Sequence, residues 1–237
     1  MEAIRYAAKF FVRREEMEPL RSMIGKRVEL ELSGCKTLLH GEFIDMGSDV
    51  LVLYSNSKYI YTPIHHLQHL RLYEEWENPA MESGPDSKID LTNISYRKML
   101  MNSRGVFTEI YLGGSHSLHG YVTGIMNDFF VYHSPMHQAV YIPVNHVKYL
   151  IPYPPNMTPY SLSQEHFPVQ PSGVALSRTL DQQLKKLEGQ LVIFDLGEHP
   201  HKKGLLKSVN DKIIQLVLAG GDDIYLHMDH IKSIHLP

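Results

Sequence analysis

The chain holds 237 residues, 43% of them hydrophobic and 21% charged, with a formal net charge of −3. The length exceeds one small barrel, the composition is that of a folded globular protein, and the charge lacks the basic excess with which a dedicated nucleic-acid binder neutralises phosphates. The longest apolar run, Val50 to Tyr54, is far short of the roughly 20 residues of a membrane-spanning helix, and the single cysteine, Cys35, excludes an intrachain disulfide or a multi-cysteine zinc site.

Taken in chain order, the first segment, Ala7 to Val12, is broken by Lys9 and followed by no small-residue cleavage site, so no secretory signal is expected. Glu15 to Met23 is predicted as a short helix stopped at its C′ position by Gly25, where glycine tolerates a left-handed backbone. A strand over Val28 to Leu32 turns at Ser33-Gly34 into a second strand holding Gly41. Asp49 opens the turn into the most apolar strand, Val50 to Tyr54, and Tyr59-Ile60-Tyr61 leads to His66-Leu67. An acidic connector over 73–90 follows, with Pro79 and Gly84-Pro85.

The same order then returns twice. Tyr96 to Met101 (helix), Gly105, Phe107 to Tyr111, Gly113-Gly114, Gly120, Asp128, Phe129 to Tyr132, Tyr141-Ile142 and His146-Val147 form a second copy. Residues 152–175 are a Pro-rich connector. The third copy has Leu180 to Leu187 (helix), Gly189, Gly197-Glu198, Gly204, Asp211, Ile213 to Leu218, Ile224 to Leu226 and His230-Ile231. Leu180, Leu184 and Leu187 fall on one helical face. The glycine pairs are 16, 15 and 15 residues apart, the following aspartates 8, 8 and 7 further on, and the histidines 17, 18 and 19 beyond those. Landmarks that keep register this closely three times mark an internal repeat. Domains are therefore expected at 15–72, 91–151 and 176–237, with connectors at 73–90 and 152–175. Glycine inside a strand pattern signals the sharp bending of a small barrel.

A short helix followed by five bent strands resembles the Sm-like architecture, and Gly41 to Leu51 with its two copies resembles the first Sm motif. The expected fold is mainly β: three tandem Sm-like small β-barrels, each with a short N-terminal helix, joined by Pro-rich linkers. More closely, Leu112 to Gly120, Leu196 to Gly204, His230 to Ile234 and His146 to Leu150 resemble the repeats of the Bacillus outer spore coat protein B family. His66 to Leu70 departs from the pattern, with Gln68 in place of lysine, and the Ser/Lys-rich tail common in that family is absent. The resemblance implies a non-catalytic structural or scaffolding component of the bacterial spore coat. It would be made in the mother-cell cytoplasm and would act through contacts with other coat proteins and with further copies of itself.

The alternative is an Sm-like RNA-binding or regulatory module. RNA-binding Sm domains carry an Asn three residues after the aspartate, where this chain has Val52, Val131 and Ile214, and the second motif's Arg-Gly pair is also missing. Nucleic acid is therefore not an expected partner, and neither is a membrane. No nucleophile elbow, phosphate loop or dinucleotide fingerprint occurs, so no catalytic residue, cofactor or enzymatic activity is expected.

The repeat positions Gly25, Gly41, Asp49, His66, Gly105, Gly120, Asp128, His146, Gly189, Gly204, Asp211 and His230 read as structural. The aspartates suit turn capping, and the histidines suit a bond to backbone at the entry of the last strand. Fifteen histidines occur, some at ligand-like spacings: His65-His66-x-x-His69, His116-x-x-His119, His133-x-x-x-His137, His199-x-His201 and His227-x-x-His230. They lack a clustered cysteine or carboxylate set, so no metal site is expected. Tyr59, Tyr61, Tyr141 and Tyr225 recur on the penultimate strand as packing residues or, by the coat resemblance, as crosslinking sites. Cys35, beside Lys36, reads as an incidental thiol.

Overall fold

A computed structural model describes residues 17–73, 95–114, 117–163 and 175–237. The start of the first expected helix, nearly all of the acidic connector, residues 164–174 of the Pro-rich connector and His116 lie outside the described residues.

The sequence periodicities become fifteen strands and three short helices among the described residues. Helix α1 is Glu18–Arg21, α2 is Tyr96–Asn102 and α3 is Leu180–Lys185. The first repeat holds β1 (Arg27–Leu32), β2 (Leu39–Met46), β3 (Val50–Ser55), β4 (Lys58–Pro63) and β5 (Leu67–Leu72). The second holds β6 (Phe107–Tyr111), β7 (Ser117–Ile125), β8 (Phe129–Ser134), β9 (Gln138–Pro143) and β10 (Tyr149–Pro152). The third holds β11 (Leu191–Phe194), β12 (Lys203–Asn210), β13 (Ile213–Val217), β14 (Asp223–His227) and β15 (Ile234–His235). The protein is mainly β and antiparallel. No helix among the described residues is long and apolar enough to cross a membrane.

The chain divides into two compact units, Met1–Met99 and Leu100–Pro237. In the first, the strand order is β4-β3-β2-β1-β5. In the second it is β14-β13-β12-β11-β15-β9-β8-β7-β6-β10, two copies of the same five-strand order joined where β15 meets β9, at Ile234 opposite Tyr141. Small bent barrels were expected, and the sheets that form are not closed. Within each repeat the fourth and fifth strands stand at opposite ends of the order, so the sheet stays open. In the second repeat the open edge of β9 is occupied by the last strand of the third. One pairing, Ile234 opposite Tyr141, thus covers part of that edge.

Each second strand bends by the same device. A β-bulge interrupts its pairing with the third strand between Phe43 and Asp45, between Val122 and Gly124, and between Leu206 and Ser208. Such a bulge adds local bend and twist. The glycine before each bulge answers a close approach: a Cβ on Gly41, Gly120 or Gly204 would collide with the carbonyl oxygen of Tyr54, His133 or Val217.

The leading glycines act differently from the expected helix stops. Each helix ends three or four residues earlier, loosening into turns such as Leu187 N–H to Leu184 O at 2.8 Å. Gly25, Gly105 and Gly189 then take φ of +78°, +73° and +83°. That turn lets their N–H groups reach Phe43 O, Val122 O and Leu206 O on the second strand, at 2.7, 3.1 and 2.8 Å. The glycine ties the turn that follows the helix to the sheet.

The core of the second unit spans both of its repeats. Phe129, Val131 and Tyr141 pack with Leu180, Leu184, Leu187, Val192, Phe194, Leu206, Ile214 and Ile234. The predicted leucine face of α3 is thus the buried one, and it closes over strands of two repeats at once.

Candidate functional site

Three places carry the polar chemistry of the repeats: the capping positions that open the third strands, the joint between the second and third repeats, and a carboxylate cluster in the first repeat.

The side chains of Asp49 and Asp128 were expected to cap their own turns, and each reaches a backbone N–H much further along the chain. Asp49 accepts the N–H of Tyr96, first residue of α2, at 2.6 Å, and Asp128 accepts the N–H of Leu180, first residue of α3, at 3.0 Å. Each aspartate therefore satisfies an orphan donor at the start of the following repeat's helix, where a negative charge also suits the helix dipole. Thr179, the local N-cap residue of α3, makes no cap bond, because its hydroxyl turns to Asp181. The chain division after Met99 agrees with this reach, since Tyr96 is tied to the first repeat.

In the third repeat the equivalent position is Lys212 rather than Asp211. The main-chain oxygens of Asp49, Asp128 and Lys212 accept the corresponding N–H of Ile64, Val144 and Met228 at 2.9, 3.0 and 2.8 Å. The one-residue difference in the glycine–aspartate spacing is the sequence trace of this shift. Lys212 pairs with Asp229 at 3.1 Å. A cation there is the wrong charge for a helix N-terminus, so the third repeat ends the series of caps.

The repeat histidines diverge. His66 is buried and shares a 3.1 Å hydrogen bond with the Ser33 hydroxyl, while its carbonyl accepts the Ser33 N–H. His146 is half-buried, bonds the backbone of Asp229 in the next repeat, and is held below the ordinary histidine range by desolvation and then by Lys148. His230 is exposed. Gly25, Gly41 and their equivalents thus hold one geometry three times, whereas the histidines serve three different surroundings.

At the joint, the β9–β15 pairing lies beside a cavity of about 420 Å³ lined by Met136, His137 and Tyr141 of the second repeat and by Ile193, His235 and Leu236 of the third. The rings of His137 and His235 face each other with centres 4.9 Å apart and planes at 59°. His235 is 5% exposed and its Nδ1 has no hydrogen-bond partner. Desolvation, with His137 and Lys203 nearby, pushes its imidazole down to about 4. His137 is also lowered by desolvation. Sequence spacing grouped His137 with His133; the structure buries His133 elsewhere, against Tyr121, and gives His137 a partner 98 positions away. Nothing in local sequence marks His235. After β11, Asp195 and Leu196 hold φ of +49° and +55°. Asp195 Oδ1 accepts the N–H groups of Lys232 and Ser233 at 2.6 and 3.3 Å, and its other oxygen pairs with Lys202 at 2.9 Å.

A second polar cluster, in the first repeat, was not singled out from sequence. Glu29 has a nearly buried side chain and accepts from Arg71 Nε at 2.6 Å and pairs with His40 at 2.9 Å. These hydrogen bonds, Arg71 first, hold its carboxyl down to about 2. Glu29 stands opposite His40 in register, as Glu109 stands opposite His119 in the second repeat. His119 instead meets the Tyr153 hydroxyl at 2.9 Å. Each of these groups is engaged with a neighbour in its own repeat, Glu29 with His40 and Arg71, Glu109 with the Ser117 hydroxyl and His119 with Tyr153. Cys35 is half-buried. Of the four penultimate-strand tyrosines, Tyr225 is 66% exposed, whereas Tyr141 is buried and Tyr59 and Tyr61 are half-buried.

Compared with known proteins, residues 179–234 match the family description "YwrJ third domain". The chain is 38% identical over 226 residues to the "Uncharacterized protein YwrJ" of Bacillus subtilis (strain 168), an alignment covering 93% of this chain and 100% of that protein. The chain belongs to the YwrJ family. The stretch matched by the third-domain description runs from the residue before α3 to the start of β15, and so lies within the third repeat.

Proposed function

We propose that this YwrJ-family chain is a non-catalytic structural component of the bacterial spore coat, working through protein–protein contacts with other coat proteins and further copies. The naming of the coat rests on the likeness of Leu112 to Gly120, Leu196 to Gly204 and His230 to Ile234 to the outer spore coat protein B repeats, and each repeat is read here as an Sm-like module. The observation that carries a scaffolding role is the build of the second unit: two copies of one sheet joined edge to edge, with β14 at one end of the order. Across the third repeat's outer face, Leu191, Leu205 and Val217 stand side by side in register. Leu191 and Leu205 are 59% and 38% exposed, and Tyr225 adds an exposed ring on β14. An apolar row beside a free strand edge is a contact surface.

The RNA-binding alternative loses support at the positions that would read a base. Val52 and Val131 are 2% and 4% exposed, so their side chains belong to the cores rather than to a surface open to a nucleotide, and in the third repeat, where Lys212 takes the aspartate's place, the matching position is Gln215.

Immunolocalisation through sporulation tests the proposal. The expected result is accumulation in the mother cell followed by signal on the spore; diffuse signal in growing cells with none on spores refutes it. Tight, salt-sensitive binding of oligo-U or oligo-A RNA would favour the alternative.

A further inference from the structure

Building on the scaffolding reading, on which this step rests, we infer that the edge of β14 takes β5 of a second copy of this chain. Copies would then join head to tail by repeating the pairing that joins β15 to β9. In that internal joint the fourth strand of one repeat receives the fifth strand of another, with Tyr141 opposite Ile234. Strand register identifies the matching positions. Tyr225 stands against Gln215 on the third strand of its repeat as Tyr141 stands against Val131. Leu70 stands against Leu30 on the first strand as Ile234 stands against Phe194. The same joint made between copies sets Tyr225 of one opposite Leu70 of the next.

Burial separates the filled places from the open ones. Among the fourth strands, Val140, Tyr141 and Ile142 of β9 and Ile60 and Thr62 of β4 are buried. On β14, Ile224 and Leu226 are only half-buried and Tyr225 is 66% exposed. Among the fifth strands, Leu150 of β10 and Ile234 of β15 are buried, whereas Leu70 of β5 is half-buried and Leu72 is exposed. Apolar side chains beside a strand at the end of the order are a template for a further strand. The last and the first repeats thus keep open the two halves of one joint. Because the halves differ, the contact is heterologous and propagates, where a two-fold contact would stop at a dimer.

Charge is the second observation, independent of the first. Asp49 and Asp128 each meet the start of the following repeat's helix, and Lys212 holds the same place in the third repeat. The helix that follows it in a head-to-tail contact is α1 of the next copy, whose first turn carries the exposed carboxylate of Glu18. A lysine there is the wrong charge for a bare helix start but the right one for Glu18. Its present pairing with Asp229 is an exposed ion pair, a kind worth little, so Lys212 is able to exchange partners.

Sedimentation velocity of the full chain over a range of concentrations tests this, with species larger than a dimer expected to grow as concentration rises. Tyr225→Lys, which places a charge on the exposed edge strand, should weaken that association by about tenfold or more. Lys212→Glu should weaken it too, and Glu18→Lys added to the same chain should restore it. Crosslinking reads the register in a Cys35→Ser background. Tyr225→Cys chains mixed with Leu70→Cys chains should give a disulfide-linked dimer on oxidation, and neither should do so alone. A chain that stays single at every concentration, association indifferent to Tyr225→Lys, or Tyr225→Cys chains that link to one another overturns the inference. Each of those results leaves the coat assignment standing, since immunolocalisation decides that separately.

Discussion

At the scale of single residues, the repeated aspartate is the most informative position, because its partner lies outside its own repeat. Asp128 reaches 52 positions along the chain to the first N–H of α3, doing the work that Thr179 leaves undone. The interaction needs an acceptor oxygen more than a charge. Asp128→Ala should therefore cost about 1 kcal/mol, the usual value of a lost N-cap, while Asp128→Asn, which keeps the oxygen, should cost only a fraction of that. Urea unfolding of the two variants checks it; equal losses would mean that the charge, rather than the cap, is what matters. The same reasoning gives Lys212 its meaning, since no side chain at that place can accept a helix N–H.

At the scale of elements, the second strand of each repeat shows how a bend is written into sequence. Glycine and bulge together bring the second strand against the carbonyls of the third so closely that no side chain fits at Gly41, Gly120 or Gly204. Because the obstacle is backbone rather than a mobile side chain, the sheet cannot yield locally. Gly120→Ala is expected to destabilise by about 1–3 kcal/mol, the range of overpacking in a filled interior, read as a lower midpoint in thermal or urea unfolding. Ala at Gly220, where only the end of the Asp222 side chain lies near, should be close to neutral and serves as the control.

At the scale of the whole molecule, the second and third repeats share a core and so should share their stability. Leu184 is fully buried in α3 and belongs to the same cluster as Phe129 and Val131 of β8. Leu184→Ala is expected to cost about 2–5 kcal/mol and, more tellingly, to lower hydrogen-exchange protection of β8 amides in the neighbouring repeat. Loss of protection confined to the third repeat would show that the two repeats open independently.

Much of this architecture was legible in the sequence because it is local. Strands such as Phe107 to Tyr111, the leucine face of α3 and the three bending glycines follow from alternation, helical period and the unique sterics of glycine, all of which act over a few residues. What the sequence left open depends on residues brought together from far apart. The open order of the sheets, the reach of Asp49 and Asp128 into the next helix, the placement of Lys212 where an aspartate was expected, and the meeting of His137 with His235 are set by strand register and by burial. Periodicity tells which face of an element is apolar, but it does not tell which distant element covers it. Only the tertiary structure decides that, because the free energy of covering an apolar face or an orphan N–H is nearly indifferent to where along the chain the partner comes from.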